Sequence, residues 1–121
     1  MARTKLTPVT PLGPYIASAG SGALDLTETA ADTTNLNAFP ITGREILIAH
    51  NTDTAAHTIT LTTAPDEKGR TDDIATYSIA AGKVSCFNYR GGLNGWQQSD
   101  GNAYLQASDP TVKFCVLLLP N

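Results

Sequence analysis

Short runs in which apolar and polar residues alternate with a period of two, each closed by turn-forming residues, constrain this chain more than any other feature. Residues 57–63 alternate strictly, with Ile59 and Leu61 on one face and Thr58, Thr60 and Thr62 on the other, the pattern of a half-buried strand. Val112, Phe114, Val116 and Leu118 repeat it near the C-terminus. Residues 45–50 contain a continuous apolar run, Ile46-Leu47-Ile48-Ala49, which predicts a central strand covered on both faces. Further strands are predicted at 24–27, 74–80, 84–89, 96–98 and 104–107. Asn51-Thr52-Asp53, Ala81-Gly82, Asp100-Gly101-Asn102 and Asp109-Pro110 supply the turns between them. No stretch carries a helical period.

About eight short strands at this spacing predict an all-β fold, a single-domain antiparallel β-sandwich or jelly roll. Strands 45–50 and 57–63 read as a hairpin. The longer polar connections, 29–40 and 64–73, are where Greek-key crossings are expected. A length of 121 residues suits one domain, and a chain of this size buries roughly two thirds of its unfolded surface without a metal or disulfide. Cys86 and Cys115 match no zinc-ligand spacing. They read as buried free thiols in neighbouring strands.

Residues 1–22 differ from the rest. Pro8, Pro11 and Pro14 remove backbone donors and favour extended backbone before them, while Gly13, Gly20 and Gly22 loosen the segment. The division expected is an extended N-terminal arm at 1–22 and a β-sandwich domain at 23–121. Arg3 and Lys5 give the arm charge, and Leu6, Val9, Leu12, Tyr15 and Ile16 give it apolar anchors. Such an arm runs along a partner by strand addition or packs on its own domain as a first edge strand. The opening residues, Met1 to Pro8, include basic side chains with no apolar stretch behind them, so they do not read as a secretory signal and cytoplasmic synthesis is expected. The longest apolar run, 114–119, falls far short of the roughly 20 residues of a membrane-spanning helix, so no membrane partner is expected.

The residues that carry chemistry are few. Eight Lys and Arg against eleven Asp and Glu give a net charge of −3, without the basic excess that contact with a phosphate backbone uses; no nucleic-acid partner is expected. His50, Asp53 and His57 flank one turn, but their spacing matches no common zinc pattern, and both histidines read as surface polar residues. Asp66, Glu67, Asp72 and Asp73 share a loop with Lys68 and Arg70; without EF-hand offsets it reads as a salt-bridged loop and not a calcium site. Trp96, with Tyr89 and Tyr104 near it in sequence, has the composition of a sugar-stacking platform, though a lone Trp opening a strand more often plugs the end of a core. Nucleophile elbows, phosphate loops and HExxH are lacking from the sequence. Neither an enzyme nor a cofactor is expected.

The block Thr42-Gly43-Arg44-Glu45-Ile46-Leu47-Ile48-Ala49-His50-Asn51-Thr52, followed by Thr58-Ile59-Thr60-Leu61, Gly69-Arg70-Thr71, Ala81-Gly82 and Gly95-Trp96-Gln97, resembles small structural proteins of tailed-bacteriophage and prophage gene clusters. The likeness runs from about residue 23 to residue 120 and lies in strand and turn patterns. Within that group the chain is most similar to head decoration, or capsid cement, proteins. The resemblance implies a virion protein, made in the bacterial host cytoplasm, that binds the outside of the head as a homotrimer and has the major capsid protein as its partner. It transfers no catalytic residue. The arm residues Arg3, Lys5, Leu6, Val9, Leu12, Tyr15 and Ile16 are then the expected contacts. A tail or baseplate protein working through loops 64–73 and 90–95, and a carbohydrate-binding module using Trp96, are the two alternative readings.

Overall fold

Among the described residues, nine strands form two sheets, an all-β sandwich with one turn of helix. The computed structural model describes residues 2–10, 26–65, 68–69, 72–91 and 93–119. In chain order the strands are β1 (Thr4–Lys5), β2 (Thr29–Ala30), β3 (Asn37–Pro40), β4 (Glu45–Asn51), β5 (His57–Thr62), β6 (Ile74–Ile79), β7 (Val84–Asn88), β8 (Asn102–Ala107) and β9 (Val112–Leu118); the helical turn α1 is Leu93–Trp96. One sheet has the order β1-β3-β8-β5-β6 and the other β2-β9-β4-β7. Every strand pair is antiparallel except β1 with β3.

Period two sets which side chains face the core. Ile59 and Leu61 point inward as expected, as do Val112, Phe114 and Val116, while Leu118 is half-buried at the end of β9. They meet Phe39, Leu47, Ile79 and Leu105 between the sheets. The apolar run in β4 divides between two environments: Leu47 and Ala49 are fully buried, whereas Ile46 and Ile48 are half-buried on the outer face. β4 is therefore central in its sheet but covered fully on one face, as a two-layer sandwich dictates. Of the strand expected at 24–27, residues 24 and 25 lie outside the described residues; Leu26 is exposed and precedes β2, which begins at Thr29.

The expected β4–β5 hairpin is an arch between sheets, and the turn at Ala81-Gly82 likewise carries β6 over to β7 in the other sheet. β4 is flanked by β7 and β9, and β5 by β6 and β8, so neither has a free side for the other. Buried Asn51 shapes the crossing: its Nδ2 donates to Ala55 O (2.9 Å) and Ile79 O (2.9 Å), and its backbone N–H donates to Lys83 O (3.0 Å). One amide thus fixes both the β4–β5 link and the β6–β7 link. The long 64–73 connection, expected to cross, joins neighbours β5 and β6 instead. Thr63 closes its neck, with its N–H and hydroxyl both donating to Asp73 Oδ1 at 2.8 Å. Between β5 and β6 the register shifts, so that Ala75 and Thr76 oppose Thr60 in a bulge, and Thr76 takes a positive φ of 50° there.

Residues 90–98 hold the helical turn α1 in place of the expected loop and strand. The chain leaves edge strand β7 here and must reach β8 in the middle of the opposite sheet. The turn presses Trp96 against Tyr89, with ring centroids 5.5 Å apart and planes at 76°. Cys86 and Cys115 lie on next-nearest strands, both opposite Ile48 of β4. Two strand spacings separate their backbones by about 9.6 Å, beyond disulfide reach. Cys115 is buried and Cys86 exposed, so the expectation of two buried thiols in adjacent strands is corrected on both counts.

Candidate functional site

Three regions bring chemistry-bearing or exposed apolar residues together, beginning with the N-terminal segment. Thr4 and Lys5 pair in parallel with Asn37 and Ala38 of β3. Leu6 N–H then donates to Ala38 O (2.7 Å), and its side chain is 4% exposed within the core. Three residues later Val9 bridges to Leu117 of the other sheet: Val9 N–H donates to Val116 O and Leu118 N–H to Val9 O, both at 2.9 Å. Residues 4–9 therefore strap one sheet to the other. Arg3 extends the strap, with Nη1 donating to Asn37 O (3.1 Å) and Leu105 O (3.2 Å) while its guanidinium lies 4.1 Å from the Tyr104 ring centroid.

Of the residues read from sequence as partner contacts, Arg3, Leu6 and Val9 are engaged on the chain's own sheets, and Lys5 is exposed. Leu12, Tyr15 and Ile16 lie outside the described residues. A shallow cavity of about 300 Å³ follows the strap, lined by Arg3, Lys5, Asp100, Asn102 and Tyr104 among others. Tyr104 donates its hydroxyl to Asp100 Oδ2 (2.6 Å), which lowers the Asp100 carboxyl from its ordinary value and raises the Tyr104 phenol.

The second region is the sandwich edge where β6 and β7 end the two sheets. Ile74, Tyr77 and Val84 are three of the four large apolar side chains that the described residues expose, with Val84 at 58%. Tyr77 packs edge-on against Phe87 across the two sheets, centroids 5.5 Å apart. Beside them opens a cleft of about 210 Å³, lined by Leu61, Ile74, Cys86, Phe87, Tyr89 and Trp96 together with Asn88. Tyr89 is buried between Phe39 and Trp96, and its burial pushes the hydroxyl well above the ordinary phenol range. Trp96 is half-buried and in edge contact, so its ring acts as a plug in the cleft wall. Ile74 and Tyr77 oppose buried Leu61 and Ile59 and so stand on the inward face; alternation marks them for burial, and only the strand order shows that they lie at an edge where cover runs out.

The third region lies at the end of the sandwich that holds the β4–β5 arch. His50 and His57, expected side by side at a hairpin mouth, stand on different sheets, each with its own carboxylate: His50 Nδ1 is 3.0 Å from Glu28 Oε2, and His57 Nε2 is 2.8 Å from Asp53 Oδ2. The group that joins Asp53 and His57 is Asp109, from the β8–β9 turn; ligand atoms of all three lie within 4.8 Å of one another. The β5–β8 register explains this meeting. Ile59 opposes Ala107, and continuing that register sets Asp109 opposite His57.

Comparison with family models, characterised proteins and solved structures finds no match. Among the described residues, no helix is long and apolar enough to cross a membrane.

Proposed function

We propose that this chain is a structural protein of a tailed-bacteriophage particle, a head decoration protein that seats on the major capsid protein. The observation that carries the reading is strand order. Numbered along the chain, the eight strands β2–β9 run 1-8-3-6 in one sheet and 2-7-4-5 in the other, with every pair antiparallel. We read this as a jelly roll, two interleaved Greek keys, an architecture used by viral capsid domains. Fold alone does not confer function, so the sequence resemblance and the exposed β6–β7 edge supply the remaining support.

The contact surface in this proposal moves from the N-terminal segment to the β6–β7 edge. Leu6 and Val9 already bury themselves against the chain's own sheets, whereas Ile74, Tyr77 and Val84 have no such cover. An apolar rim of this kind suits a neighbouring subunit or the shell. Repetition around a homotrimer and across the capsid lattice multiplies modest contacts into firm attachment.

Cryo-electron microscopy of particles that carry this chain tests the proposal. Density repeated over the shell, with β6 and β7 facing a neighbour, is the expected result. Density confined to the tail would instead indicate adsorption or tail assembly, and absence from purified particles would favour a free binding module; either overturns the decoration reading.

A further inference from the structure

We infer that Asp53, His57 and Asp109 form a binding site for one divalent first-row transition ion, which clips the two sheets together at this end of the sandwich. The three residues come from separate segments. Asp53 lies in the arch leaving β4, His57 opens β5 in the opposite sheet, and Asp109 lies in the turn that leads from β8 back to β9. An ion held by all three spans both sheets.

The distances suit a single ion. Zinc takes imidazole nitrogen and carboxylate oxygen at about 2.0–2.2 Å, which in a tetrahedral site places neighbouring ligand atoms about 3.3–3.6 Å apart. Asp53 Oδ2 and His57 Nε2 are 2.8 Å apart, and the Asp109 carboxylate completes the set within 4.8 Å. Small rotations of half-exposed side chains open the first span and close the second. An imidazole with two carboxylates is a borderline donor set that suits zinc, manganese or iron better than the hard oxygen-seeking calcium ion. Partial exposure of all three residues leaves water to fill the remaining positions.

One oxygen of each carboxylate is held by a neighbouring threonine; the other oxygen of Asp53 is hydrogen-bonded to His57 Nε2 (2.8 Å), a contact that a metal held by both atoms would replace. Asp53 Oδ1 accepts from Thr54 N–H (2.7 Å), and Asp109 Oδ1 accepts from Thr111 N–H (2.9 Å) and Thr111 Oγ1 (2.7 Å). This is the outer-shell support that orients ligands in metal sites. The two loops are themselves tied, since Thr52 Oγ1 donates to Thr111 O (2.6 Å). Both aspartates are held below the ordinary carboxyl range, Asp53 chiefly by His57 and Asp109 chiefly by the Thr111 hydroxyl. Whatever its protonation, one imidazole supplies at most one positive charge against two carboxylates. A divalent cation balances them.

The test uses the full chain, free of affinity tags, stripped with EDTA and dialysed. Zinc chloride is titrated calorimetrically, and thermal midpoints are recorded with and without zinc for the native chain and for Asp109→Asn, His57→Gln and His50→Gln. One zinc per chain is expected, with the midpoint raised by roughly 5–10 °C at about 100 times the dissociation constant. Asp109→Asn and His57→Gln should weaken binding at least about tenfold, and His50→Gln should leave it unchanged. Imidazole NMR signals of the native chain give an answer independent of any variant's folding: zinc should shift the His57 ring and not that of His50. A native chain that shows neither binding heat nor a midpoint change overturns the inference, as does binding that survives in Asp109→Asn or shifts His50 alone.

Discussion

At the scale of single residues, buried polar groups are the most informative. Glu45 is wholly buried, yet its carboxylate accepts from Thr42 N–H, Thr42 Oγ1, Gly43 N–H and Arg44 N–H at 2.9–3.0 Å. The turn at 42–44, where Gly43 has a φ of +93°, is wrapped around that one side chain. Glu45→Ala should strand several donors and cost about 3 kcal/mol, read as a lower denaturation midpoint at unchanged slope. Tyr89 presents the opposite case. Its buried hydroxyl has no hydrogen-bond partner among the described residues, so removing it costs no bond and spares its desolvation. Tyr89→Phe should keep the contacts with Phe39 and Trp96 and raise stability by about 1 kcal/mol; a lower midpoint would mean that the hydroxyl is paired. Neither role was readable from sequence. Glu45 shares the inward face of β4 with Leu47 and Ala49, and what the sequence does not disclose is that the turn before it supplies the donors that make its burial tolerable.

At the scale of elements, the strap through residues 4–9, which begins with β1, ties one sheet to the other. Leu6→Ala should cost about 3 kcal/mol, as for other core leucines, and chemical denaturation would measure it. A surface arm would show almost no effect at that position. Acid should loosen the same elements. Asp32, Asp53, Asp100 and Asp109 all sit below the ordinary carboxyl value, held chiefly by the Thr4 hydroxyl, the His57 ring, the Tyr104 hydroxyl and the Thr111 hydroxyl respectively. Because their folded values are depressed, the stability they contribute is complete above the unfolded carboxyl range and is lost as pH falls through the lowered values. Thermal midpoints should hold from pH 7 to about 5 and then decline below about pH 4; a flat profile to pH 2 would contradict it. Strand faces were legible in the sequence because period two reports burial directly. Sheet membership was not, since Ala81-Gly82 can turn a strand back on its neighbour or over to the other sheet, and the amide of Asn51 that decides this acts from 28 residues before Ile79.

At the scale of the whole molecule, the surfaces that two sheets leave uncovered are where the proposed contact is tested. In the proposed role, Val84→Asp should weaken binding to capsids that lack this chain at least about tenfold, measured by co-sedimentation, while leaving the thermal midpoint within about 1–2 °C, since that side chain is 58% exposed. Full-strength binding by that variant would move the contact elsewhere. The cluster at the far end shows how much of a site sequence can disclose. Asp53 and His57 are four residues apart and were visible as a pair, whereas Asp109 joins them through the β5–β8 register, a long-range pairing that no local pattern records.

The middle strand of one sheet is β8, and β9 lies inside the other. β1, β2 and β3 rest directly on these two strands or on each other. During synthesis, therefore, β2 and β3 lack their antiparallel partners, and β1 has only β3, until residues 102–118 have left the ribosome. The nascent chain must keep its apolar runs out of trouble for most of its length, and the sequence suits that interval: threonine alternates with the hydrophobic residues, and prolines near the start cannot join a ladder. What spaces the strands in the finished sandwich also guards the unfinished chain against wrong partners.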